Sequence, residues 1–297
     1  NYNTKLMDIN SPIGVFDSGV GGLTVLKQLI RFLPNEDFIY LGDTARVPYG
    51  NKSQTTIEKY ASEATRFLLN KDVKLIVIAC NTVSSIALDA VKQNSNGIPV
   101  VGMIEYSART ALRISKNKRI GVIGTRATIE SKGYERQIRK LAKSKNLMLS
   151  SYACPLFVPL VEEGFINTPA TRYIAEQYLE PLKDTGIDTL ILGCTHYPMP
   201  KKIISEFLPN VNLIDTGVES SIQVLRLLAE KNLLREIEEP FQSPNFIENN
   251  ENMEILNLPD PNVDFYLTDI SLNFKTIADL LLEFNIQNPI QVNISED

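Results

Sequence analysis

Three cysteines and a single histidine are the residues of this 297-residue chain best suited to nucleophilic or proton-transfer chemistry. Two of the cysteines sit in look-alike settings. Cys80 ends the apolar run of "IVIACNTVSS" (76–85), Cys194 ends that of "LILGCTHYPM" (190–199), and each is followed closely by threonine. A thiol packed as a small hydrophobe needs no polar company, yet Asn81 and Thr82 follow the first and Thr195 and His196 the second. Cys154, in "YACPLF", has no such twin and reads as a packed residue.

Several chemistries compete for the matched pair. Zinc needs nitrogen and sulfur ligands in recognisable spacing, and three cysteines with one histidine and no CxxC do not supply it. The same absence disfavours a thioredoxin-like redox pair. Acyl transfer through one nucleophile could use Cys80 with His196, but it leaves Cys194 unexplained. Proton transfer at one carbon from two faces uses both thiols, because inverting a stereocentre takes a base on one side and an acid on the other. Only the thiolate is basic, and a free thiol titrates near about 8.5, so each needs neighbours that assist removal of its proton. Asp17, Glu162 and His196 are the groups available for this. "DSGVGGLT" (17–24) matches no phosphate-cradling pattern and reads as a strand-to-helix turn offering backbone N–H groups to a ligand carboxylate. "ARVPYGNKS" (45–53) places Pro48, Tyr49 and Gly50 in a loop after a strand.

The elements that must position these residues alternate along the chain. Short Val- and Ile-rich runs at 12–18, 37–43, 73–80, 98–103, 118–125 and 188–194 read as buried strands, several of them ended by Gly, Asp or Cys, and Cys80 and Cys194 at two of the strand ends are expected to face a cleft rather than to be packed. Helical spacing lies between them, clearest at 55–69, where Thr55 and Glu58 form a capping-box pattern. Such alternation implies parallel sheets flanked by helices, with ligands at the carboxyl ends of the strands. "IGVFDSG" (13–19) resembles "IGVIGTR" (120–126) much as the strand ending at Cys80 resembles the one ending at Cys194, so two related halves are expected. Residues 236–262, rich in Asn, Glu and Pro, read as a surface loop or linker, and 273–284 as a helix that docks on a domain.

Bulk properties narrow the classes. A net charge of −5 with 22% charged residues gives no basic footprint, so no nucleic acid partner is expected. No apolar run approaches the roughly 20 residues that span a bilayer, the N-terminus lacks a signal-peptide core, and an odd cysteine count suits free thiols, so a cytoplasmic protein without membrane contact is expected.

Taken together, "FDSGVGGLTV", "YLGDTARVPYGNKS", "IACNTVSS", "VIGT", "CPLFVPLVEEG" and "LGCTHYP" resemble the glutamate racemases of the cofactor-independent aspartate/glutamate racemase superfamily, in order from about residue 13 to 230. The resemblance implies two similar α/β domains with parallel-rich sheets, pseudo-twofold related, and an active site in the cleft between them. It places the first domain at 11–105 plus 217–270, the second at 106–216, and a C-terminal helix and tail at 271–297 docked on the first. It implies racemisation of L-glutamate to D-glutamate for peptidoglycan synthesis, with no cofactor and no metal, by a homodimer. In the family the paired acid and base match Cys80 and Cys194, and the assisting groups match Asp17, Glu162 and His196. Cys194 would take the proton from L-glutamate and Cys80 from D-glutamate. Substrate contacts fall on Asp17, Ser18, Pro48, Tyr49, Gly50, Asn81, Thr82, Thr125, Thr195 and His196. An aspartate racemase of the same superfamily and a non-catalytic amino-acid-binding relative are the alternatives.

Overall fold

The computed structural model describes residues 8–143, 146–235, 262–271, 274–282, 286 and 289–295. The expected linker falls almost wholly at 236–261, outside the described residues. Ten strands are described: β1 (Ile13–Asp17), β2 (Phe38–Gly42), β3 (Leu75–Ile78), β4 (Val100–Gly102), β5 (Arg119–Gly124), β6 (Met148–Ala153), β7 (Thr189–Gly193), β8 (Asn212–Asp215), β9 (Val263–Leu267) and β10 (Ile290–Gln291). They form two sheets, in the orders β10-β9-β2-β1-β3-β4 and β6-β5-β7-β8. Every pairing is parallel. The α/β class and the six strands read from sequence are therefore observed, each strand lying inside its expected range.

Alternation along each strand explains why these runs are apolar throughout. Ile13, Val15, Leu75 and Val77 pack into a core on one face of the first sheet, while Phe16, Ile76 and Ile78 pack into another on the opposite face. Leu190 and Leu192 face one core of the second sheet, and Ile120, Val122 and Ile191 face the other. A parallel sheet covered by helices on both sides buries every residue of its central strands. The four strands missed from sequence are edge strands or strands in the returning C-terminal segment. β6, "MLSSYA", leaves its side chains half-buried or exposed and so lacks an apolar run.

The halves correspond strand by strand. β2-β1-β3-β4 and β6-β5-β7-β8 have the same order, so β3 and β7, the strands that lead into Cys80 and Cys194, hold equivalent places beside the central strand. The helix expected at 55–69 runs Gln54–Leu69, and Ser53, not Thr55, caps it by accepting from the Thr56 N–H at 3.4 Å. A serine with extended backbone one residue before the helix can reach those free N–H groups, whereas Thr55 is already inside the first turn. At the C-terminus the helix Phe274–Leu281 packs Phe274, Ile277, Ala278 and Leu281 into the first core. β10 continues the first sheet beyond β9.

Candidate active site

The carboxyl ends of the two sheets meet through side chains. Thr24, in the helix after β1, donates to the Thr195 carbonyl at 2.8 Å and shares its hydroxyl with Gly21 O. Asn81, after β3, donates to Thr216 Oγ1 at 3.4 Å and accepts from the Tyr134 hydroxyl at 2.5 Å. The Thr82, Thr125 and Thr128 hydroxyls form a closed triangle with edges of 2.9, 3.1 and 2.9 Å. The Thr24–Thr195, Asn81–Thr216, Asn81–Tyr134, Thr82–Thr125 and Thr82–Thr128 contacts each join a residue of the β1–β4 region to one of the β5–β8 region. Both thiol-bearing strand ends therefore open onto one place.

Cys80 directly precedes the helix Asn81–Ile86. Its Sγ donates to Ser18 Oγ at 3.3 Å. Burial, reinforced by the negative charge of Asp17, pushes this thiol up to about 12, against the opposing help of Ser18 and the Val83 N–H. Asp17 ends β1 almost fully buried, with Oδ2 accepting from the Gly19 and Gly22 N–H groups, both at 3.0 Å. Burial raises its pKa despite the nearby His196 charge, and its Oδ1 is buried without a protein partner. The N–H groups of the glycine turn at 19 and 22 are thus committed to Asp17, where the sequence suggested a ligand carboxylate. A carboxylate two residues before Gly19 and five before Gly22 reaches both intramolecularly, without the cost of ordering a ligand.

Cys194 follows β7 and faces a different set of groups. Its Sγ lies 3.8 Å from His196 Nδ1, and His196 Nε2 lies 3.0 Å from Glu162 Oε1 at the end of the helix Phe157–Glu162. Thr195 Oγ1 is 3.3 Å from the same Nδ1. Burial opposes an imidazolium here, but hydrogen bonding and attraction from Cys194 and Glu162 outweigh it and push His196 up to about 10. Coulombic interaction between the two thiols adds a smaller upward push at Cys80.

Glycine at two positions of the turn is dictated by close approach. A Cβ at Gly21 would fall 2.3 Å from His196 Cε1, and one at Gly22 would fall 2.3 Å from Asp17 Cβ. Only residues without side chains let this turn seal both the carboxylate and the imidazole. Cys80 and Cys194 are 4% and 6% exposed, so both thiols are shielded from bulk water.

The structure brings the remaining expected residues to the same region. Pro48 precedes the short turn Tyr49–Asn51, Tyr49 is buried, and a Cβ at Gly50 would lie 2.9 Å from Thr125 Cβ. Cys154 packs in the second sheet's core with its thiol pushed up, chiefly by burial. All three cysteines are free. Sequence reasoning gave no role to Thr24, Thr128, Asp43 or Tyr134. The first three lie in or beside motifs that were singled out, whereas "KGYERQ" around Tyr134 carries no motif signal. Among the described residues, no cluster of three or more His, Cys, Asp and Glu is placed to hold a metal ion, and no helix is long and apolar enough to cross a membrane.

Residues 13–220 match the Asp/Glu/hydantoin racemase family. A glutamate racemase from Chlorobaculum tepidum is 52% identical over 228 residues, covering 76% of this chain and 83% of its own length. One from Neisseria meningitidis is 41% identical over 91% of this chain and 92% of its own. The crystal structure of a glutamate racemase from Francisella tularensis, in complex with D-glutamate, superposes with a TM-score of 0.84 at 40% identity, covering 96% of this chain and 98% of that one.

Proposed function

The chain belongs to the Asp/Glu/hydantoin racemase family, its reaction is the interconversion of L- and D-glutamate, and we propose that Cys80 and Cys194 carry the two proton transfers. The observation that carries this is the placement of the two thiols at equivalent strand ends, each beside its own acid–base groups, at one junction. D-Glutamate formed in this way is a precursor of the kind peptidoglycan synthesis consumes.

In the L-to-D direction the Cys194 thiolate, balanced by the His196 imidazolium, removes the α-proton. The electron pair of the C–H bond moves toward the α-carboxylate as the bond breaks. The Cys80 thiol, protonated because its pKa lies near 12, delivers its proton to the opposite face. The enzyme then holds a Cys194 thiol and a Cys80 thiolate, the state ready for D-glutamate. The Asn81 amide and the Thr82 and Thr195 hydroxyls are donors suited to the charge that develops on the α-carboxylate. Ser18, Thr125 and the turn of Pro48, Tyr49 and Gly50 complete the contacts we assign to substrate.

Asp17 cannot favour a Cys80 thiolate by its own charge, since a neighbouring anion raises a thiol. Its place suits the substrate ammonium instead. A cation bound there neutralises the carboxylate and pulls Cys80 back down when it must act as base. Glu162, through His196, serves the other thiol.

The test is polarimetry of L-glutamate with the protein and no added cofactor, with L-aspartate in parallel. Glutamate is expected to lose rotation to zero. A one-methylene difference is worth only about 1 to 3 kcal/mol in a pocket, so aspartate turning over faster would transfer the assignment to the shorter substrate. No loss of rotation by folded protein would end the racemase reading.

A further inference from the structure

Behind the Pro48–Gly50 turn lies a buried polar network that the proton-transfer reading leaves without a role. Asp43, directly after β2, has no solvent exposure. The Tyr49 hydroxyl donates to its Oδ2, Thr268 Oγ1 donates to its Oδ1 at 2.9 Å, and Arg46 Nε reaches both oxygens at 3.0 and 2.7 Å. Arg46 also pairs with buried Glu63 and lies 3.9 Å from the centroid of the Tyr60 ring. The Asp43 N–H donates to the Asp17 carbonyl at 3.0 Å, which ties the network to the carboxylate beside Cys80.

Tyr49 stands between this network and the site. Its ring packs edge-on against Phe16 at 6.5 Å and tilted against Tyr60 at 5.6 Å, which a phenylalanine could do as well. The hydroxyl is what the packing does not require. Burial and then the Asp43 charge raise its pKa, so the phenol keeps its proton and donates. On the far side of the same turn Gly50 abuts Thr125 with no room for a Cβ, and Thr125 is bonded to Thr82, two residues from Cys80. An approach that tight transmits any tilt of Tyr49 to the Thr125 and Thr82 hydroxyls.

We infer that Asp43 is a positioning residue: by holding the Tyr49 phenol it fixes the Pro48–Gly50 turn against Thr125 and so sets the grip on glutamate. The inference rests on the racemase reading. Through Thr268 it also makes the segment returning after β9 part of the site's support, since Thr268 follows β9 directly.

Tyr49→Phe removes one hydroxyl and leaves the ring packing. Its expected effect is a rise of about tenfold in KM for both enantiomers, the loss of a hydrogen bond to a charged acceptor. Because the thiols are untouched, the α-deuterium isotope effects should stay at wild-type values in both directions. Asp43→Asn should do the same or more. The double variant should be no worse than Asp43→Asn alone, because Asp43 acts through Tyr49. A KM for Tyr49→Phe within about twofold of wild type would overturn the inference, as would additive losses in the double variant. If Asp43→Asn does not fold, Tyr49→Phe decides alone. Wild-type turnover is measured first, so failure of the racemase reading shows there and failure of this inference shows only in the variants.

Discussion

The wall that carries Cys80 and the wall that carries Cys194 are topologically the same and electrostatically opposite. Each thiol follows the same strand of a repeated sheet order, β3 in one half and β7 in the other. Cys80 has a buried carboxylate, Asp17, as its neighbour and is held protonated. Cys194 has an imidazole whose far nitrogen is paired to Glu162. The repeated strand order thus supplies two matched positions, and the loops that follow the strands give the two thiols different neighbours.

The comparison breaks most completely at the thiols. Cys80→Ser and Cys194→Ser should each lower kcat/KM by at least about a thousandfold in both directions, since a serine hydroxyl is far too weak an acid and base to replace a thiol. Cys154→Ser should leave turnover near wild type, and equal tolerance at all three positions would remove the two-thiol account.

The enantiomers have equal free energies, so the equilibrium constant is unity and any variant must lose kcat/KM equally in both directions. Asymmetry between the walls has to be read in isotope effects instead. His196→Gln should lower kcat/KM by about a hundredfold and enlarge the α-deuterium effect with L-glutamate more than with D-glutamate. Asp17→Asn should give the opposite pattern. The same asymmetry in both variants would show that the two groups do not serve separate walls.

Asp17→Asn also tests the cost of the first wall. Burial raises the Asp17 pKa and leaves one oxygen unpartnered, so its ionised form destabilises the fold at every pH above the usual carboxylate range. The amide keeps an oxygen for the Gly19 and Gly22 N–H groups and sheds the charge. Thermal unfolding should shift upward by about 2 to 4 °C while activity falls. A lower melting temperature would contradict the electrostatic description of this wall.

On the second wall the sign reverses. The folded protein holds the His196 proton up to about 10, above the ordinary 6.5, so the folded state binds more protons in that window. Its stabilising contribution is full below pH about 6.5 and is lost as pH rises toward 10. Melting temperature measured from pH 7 to about 10 should therefore fall more steeply in wild type than in His196→Gln. The smallest effect is expected at Glu162, which is partly exposed: Glu162→Gln should cost about tenfold or less in kcat/KM, and equality with the His196 loss would make Glu162 a direct participant.

How much of this was legible in the sequence follows from what each residue type signals. The central strands were readable because a parallel sheet covered on both faces demands continuous Val, Ile and Leu, as in "VKLIVIAC" and "DTLILGC". β6 was not, because an edge strand can carry Ser150 and Ser151. The thiols were readable through their repeated setting and the order of motifs. The assignment of Asp17 to one wall and Glu162 to the other was not, since it depends on which strand ends meet. Thr24 and Asp43 escaped for a related reason: their partners, Thr195 and Thr268, lie far along the chain.

The central claim is that two different thiols serve the two faces of one carbon. Each thiol carries a single proton, so the face that loses protium and the face that gains a solvent proton are distinct. The direct test is L-glutamate in deuterated water at low conversion, with the two enantiomers separated and their α-deuterium measured by mass spectrometry. The account predicts deuterium in the D-glutamate formed and α-protium retained in the unreacted L-glutamate; deuterium appearing equally in recovered L-glutamate would contradict it.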